Sequence, residues 1–112
     1  LAWEVRVIQF DEEDVLTAAQ DFMAVRNGNK DQSTIIHVAC TATKDGVEGR
    51  LRSTRPEGGG ANNGLISADD MLVAMLLFCS RKRIRLPIRA VKQLEMHGST
   101  VLLRITIPSR SA

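Results

Sequence analysis

Nine consecutive apolar residues, Met71 to Cys79, lie between an acidic start at Asp69 and Asp70 and a basic end at Arg81, Lys82 and Arg83. Leu, Met and Ala dominate the run, and these residues favour helix. Ser67, with Asp70 three residues on, supplies a start resembling a capping box. The carboxylates stand where the helix dipole favours negative charge, and the three cations where it favours positive charge. Ser67 to Arg83 therefore reads as a helix about 25 Å long. A membrane span needs about 20 predominantly apolar residues, so this helix is too short to be one, and no membrane partner is expected. A helix apolar around most of its circumference must instead be covered, by a sheet on one side and a second helix or a partner subunit on the other.

The remaining periodicities supply that cover. Trp3 to Phe10 alternates, which predicts a strand with Trp3, Val5 and Val7 on the core and Glu4, Arg6 and Ile8 facing away. Asp11 with Asp14 repeats the capping pattern. Val15, Ala18, Ala19, Phe22 and Met23 form a stripe at helical spacing, and Asn27-Gly28 is a stop. These features predict a helix over 12–26. Ser33 to Thr43 is rich in β-branched residues, Lys44-Asp45-Gly46 is a turn, and Val47 to Ser53 alternates, so the two stretches predict a hairpin. Residues 55–64 hold four Gly and a Pro and read as a long flexible connection. After Pro87, the spacing of Ile88, Val91 and Leu94 predicts a short helix, with a strand as the rival reading. Thr100 to Ile107 reads as a strand with Val101, Leu103, Ile105 and Ile107 inward. No internal repeat is visible in the sequence.

The order β-α-β-β-α-(α)-β is that of the ferredoxin-like architecture: an α+β fold with one four-stranded antiparallel sheet and two main helices on one face. A short extra strand near 94–97 is a variant of it. The 112 residues form one domain. The two cysteines, Cys40 and Cys79, lie in apolar runs and read as buried, reduced thiols, as in a cytoplasmic protein.

Charge is unevenly placed. Residues 1–49 hold 4 Lys/Arg against 9 Asp/Glu, and residues 50–112 hold 11 against 4, although the whole chain is only +2. The cluster Arg81, Lys82, Arg83, Arg85, Arg89 and Lys92 is the first candidate site, for an anion or nucleic acid. Against a nucleic-acid partner, the pI of about 8.8 is modest for a basic nucleic-acid-binding domain. The second candidate is the open sheet face, where alternation places Arg6, Ile8, His37, Arg50, Arg52 and Arg104 as an interface. That face has no aromatic residue on which a base could stack. The third is a small-ligand site beneath the Gly-rich 55–64 loop.

No catalytic residue, cofactor motif or metal site is expected. The loop lacks a GxxxxGK[ST] pattern, and Asp69 and Asp70 would repel an anion at the following helix start. Asp11 to Asp14 complement a helix dipole, with no His or Cys at ligand spacing. His37 and Cys40, three residues apart on a strand, point to opposite faces. The sequence thus points to a domain that acts by protein association, as a homodimer or an adaptor.

Overall fold

The computed structural model describes residues 4–28, 34–54 and 61–108. Trp3, Ser33 and the 55–60 part of the Gly-rich stretch lie outside the described residues. The elements are β1 (Glu4–Phe10), α1 (Glu12–Arg26), β2 (Thr34–Thr43), β3 (Gly46–Thr54), β4 (Ala61–Ile66), α2 (Ala68–Arg81), β5 (Val91–His97) and β6 (Thr100–Ile107). Both helices start as their caps dictate. The Asp11 carboxylate accepts from the Asp14 N–H at 2.7 Å, the Asp14 carboxylate accepts from the Asp11 N–H at 3.1 Å, and the Ser67 hydroxyl accepts from the Asp70 N–H at 3.3 Å.

The strands form two separate three-stranded antiparallel sheets, β1-β6-β5 (sheet A) and β2-β3-β4 (sheet B), in place of the single four-stranded ferredoxin-like sheet. Two strands account for the difference. Residues 61–66, expected as loop, pair with β3 from Ala61↔Thr54 to Ile66↔Gly49. Residues 91–97, expected mostly as helix, pair with β6 from Val91↔Thr106 to His97↔Thr100. The rival strand reading of this stretch is the one the fold adopts. Each new strand completes a ladder on the open side of a strand already paired once, satisfying its backbone groups.

The element order is a β-α-β-β unit used twice, β1-α1-β2-β3 and β4-α2-β5-β6. Each unit lends its first strand to the other: β1 lies beside β6, and β4 beside β3. Each hairpin turns through two residues, Lys44-Asp45 and Gly98-Ser99. Each helix follows its strand through a single capping residue, with buried Phe10 and Ile66 immediately before the caps. The buried stripe of α1 (Val15, Ala18, Ala19) corresponds in position to Met71, Ala74 and Met75 of α2.

The helices pack on each other, α1 on β2 and α2 on β3. The core lies between them and the inner rows of both sheets. Ile66, Met71, Met75, Cys79, Leu103 and Ile105 are among its fully enclosed side chains. Phe10 meets Phe78 edge to face, with ring centroids 6.0 Å apart. This contact sets the facing of β1, and it is the reverse of the expected one. Phe10 and Ile8 turn inward, so Val5 and Val7 point outward and remain 48% and 47% exposed. Apolar residues occupy both parities of the strand, and only packing on α2 chooses between them.

Candidate functional site

The described residues present two surfaces and, among several clefts, two that are equivalent. The first surface is a partly exposed apolar stripe along α2. Val73 and Leu77, one helical turn apart, are 44% and 41% exposed, with half-buried Leu72 and Leu76 beside them. The corresponding positions on α1 are Thr17 and Asp21. The two helices hold equivalent places in the two units, so the fold itself does not require an apolar residue there. Asp69 stands at the start of this stripe and Lys82 and Arg83 at its end.

The end of α2 is a Schellman motif. The Arg83 N–H donates to the Ser80 carbonyl at 3.1 Å, and the Ile84 N–H donates to the Cys79 carbonyl at 2.8 Å. The motif puts Arg83 at φ 60°, in the left-handed region. Gly28 holds the same place after α1, at φ 63°.

The expected basic cluster is partly engaged within the molecule. Arg81 pairs with Asp21 of α1 at 2.7 Å. The Lys82 ammonium lies 5.7 Å from the Phe78 ring centroid, and the Lys92 ammonium donates to the Ala90 carbonyl at 3.3 Å. Arg83, Arg85 and Arg89 are exposed and have no ion pair among the described residues. They share their loop with Ile88, which is 95% exposed.

The second surface is the outer face of sheet B. Register sets two rows across it, His37–Arg52–Asn63 and Ala39–Arg50–Leu65. The ladder shifts by one residue between Ile35 and His37, and the Ile35 N–H there donates to the Gln20 side-chain carbonyl of α1 at 2.7 Å. The expected sheet-face set is therefore divided. His37, Arg50 and Arg52 share this face, while Arg6, Ile8 and Arg104 belong to sheet A. There Arg6 pairs with Glu4 at 2.8 Å, and Ile8 faces the core. Arg104 is on the outer face and bonds both oxygens of Glu95, at 2.8 and 3.1 Å. That hydrogen bond, helped by the guanidinium charge and opposed by partial burial, holds the Glu95 carboxyl below its usual range.

Two of the clefts are equivalent in the two units, each lying where a hairpin turn, a helix start and a strand from the other unit converge. One is lined by Lys44, Asp45, Asp69, Lys92 and Glu95, the other by Asp11, Glu12, His37, Cys40 and Ser99. Cys40 and His37 border the same cleft, but burial pushes the Cys40 thiol up, away from the thiolate a nucleophile requires. Among the described residues, no group of three or more His, Cys, Asp or Glu could hold a metal ion. None of the described helices is long and apolar enough to cross a membrane. The β4 strand and the pairing of Arg50 with Leu65 across it are features that sequence reasoning missed, because Asn62-Asn63-Gly64 carries turn residues rather than strand formers.

No family model, curated protein or solved structure matches this chain.

Proposed function

We propose that this chain is a binding domain that works by protein association, and that its partner is a second copy of itself, met through the apolar stripe of α2. The observation that carries this reading is the exposed Val73–Leu77 stripe at positions where the equivalent helix is polar. The charges at its ends favour self-pairing. Two α2 helices laid antiparallel across a twofold axis bring Asp69 of each toward Lys82 and Arg83 of the other, with Val73 and Leu77 between. The two free thiols, Cys40 and Cys79, fit a reducing, cytoplasmic setting.

Sedimentation velocity from low to high micromolar concentration tests the reading. A dimer is expected for the native chain and a monomer for Val73→Asp and Leu77→Asp. Asp69→Lys should weaken the dimer, and adding Lys82→Glu with Arg83→Glu should restore it. A native chain that stays monomeric at high micromolar concentration overturns the proposal.

A further inference from the structure

We propose that the outer face of sheet B binds single-stranded nucleic acid, with Arg50 and Arg52 contacting successive phosphates. The two units of the fold provide an internal comparison. Arg50 of β3 and Arg104 of β6 hold equivalent places, each at the centre of its sheet's outer face. In sheet A, Glu95 on the neighbouring strand neutralises Arg104 through two hydrogen bonds. In sheet B, the residue in the place of Glu95 is Thr41, and Arg50 has no carboxylate partner among the described residues. Arg52 is likewise unpaired, and its counterpart on β6 is Thr106. One fold thus carries one face whose central cation is cancelled and one face with two free cations.

The geometry selects the ligand. Arg50 and Arg52 are two residues apart on one strand, so their side chains leave the same face about 7 Å apart. That is close to the separation of successive phosphates along an extended single strand. Each guanidinium offers the planar fork that suits a phosphate. His37 and Asn63 flank Arg52 in its row and add polar contacts. Ala39 and Leu65 flank Arg50 and offer apolar surface to sugar or base. The face carries no aromatic among these residues, so binding follows the phosphate chain and is indifferent to sequence. An open cleft on this face is lined by His37, Ala39, Arg50, Arg52, Asn63 and Leu65, which suits a polymer passing across it better than a small anion that needs enclosure. Glu48 shares the face two residues from Arg50, toward the turn and opposite Thr41, and makes no ion pair among the described residues.

Fluorescence anisotropy with labelled single-stranded RNA and DNA oligonucleotides of mixed sequence, in a salt series, tests the proposal. Two phosphate contacts give a slope of log K against log salt of about −1.4, a loss of about sevenfold between 50 and 200 mM salt. Arg50→Gln with Arg52→Gln should abolish binding and flatten the slope. The double Lys variant, which keeps both charges, should retain binding, and Arg83→Gln with Arg85→Gln and Arg89→Gln should leave it unchanged. Circular dichroism melts of each variant establish that the fold persists. Absence of salt-dependent binding, loss of binding in the loop variant instead of the sheet variant, or equal or tighter binding to the matching duplex or to polyglutamate would each overturn the proposal. Val73→Asp monomers should still bind, which separates this site from the α2 interface.

Discussion

Met71 of α2 occupies the space that a side chain at Gly49 of β3 would need. Its sulfur lies 2.9 Å from the position a Cβ would take at residue 49, and a Val38 methyl lies 3.2 Å from the same point. Met71 and Gly49 are both buried, so this close approach seats α2 on sheet B.

Gly49→Ala should therefore destabilise the fold by about 1–3 kcal/mol, the usual cost of overfilling a packed site. Met71→Ala should cost about 2–5 kcal/mol through the cavity it leaves. The double variant should lose less than the sum, because the added methyl enters the vacated space. Urea unfolding of the three variants measures this coupling, and strict additivity would show that the two residues do not share the space.

Arg83 and Gly28 should respond to substitution in opposite senses. Both sit in the left-handed region after a helix, where a side chain is strained and glycine is not. Arg83→Gly should stabilise the protein by up to about 1 kcal/mol, the relieved strain being partly offset by the freer unfolded chain. Gly28→Ala should cost about 1 kcal/mol, although nothing crowds the position. Thermal melts at neutral pH give both signs.

The Glu95–Arg104 pair predicts a pH dependence. The folded carboxyl titrates below its usual value, chiefly because of the Arg104 hydrogen bond. Its contribution is therefore complete above the ordinary Glu range, near about 4.3, and is lost as pH falls through the lower folded value. Glu95→Gln should melt below the native chain at pH 7, and the gap should close in acid. A gap that stays constant from pH 7 to pH 3 would show that the charge of Glu95 is not its source.

The thiols should differ in accessibility rather than activation. Burial raises the titration of both. Cys40 is half-buried at a cleft and Cys79 is enclosed in α2. A disulfide exchange reagent at neutral pH should modify Cys40 slowly and Cys79 more slowly still. The Cys79 rate should climb with denaturant as the core opens.

Local chemistry made several elements readable without the fold. The Asp11/Asp14 and Ser67/Asp70 pairs mark the helix starts because caps satisfy amides only three residues away. The β2-β3 hairpin is legible from its turn for the same reason. The candidate site was readable only in pieces. Arg50 and Arg52 are predicted on one face by alternation, but their distinction from Arg104 depends on whether residue 95 or residue 41 is a carboxylate. That comparison has meaning only once β6 and β3 are seen to be equivalent. The repeat itself is faint in the chain, since the aligned helices share little beyond Asp14/Asp70, Leu16/Leu72, Ala18/Ala74 and Phe22/Phe78.

By itself the sequence determined where both helices begin, which residues of β3 and β6 turn inward, and that Met71 to Cys79 form a helix. These depend on caps, turns and periodicities that act within a few residues. The tertiary structure alone decided that β1 joins β6 and β4 joins β3, that β1 turns Ile8 and Phe10 inward, and that Val73 and Leu77 of α2 stay partly exposed. Strand partners are chosen by ladders between residues far apart in the chain, and β1 offers apolar side chains on both faces. Its facing is settled by the contact of Phe10 with Phe78, which no local pattern encodes.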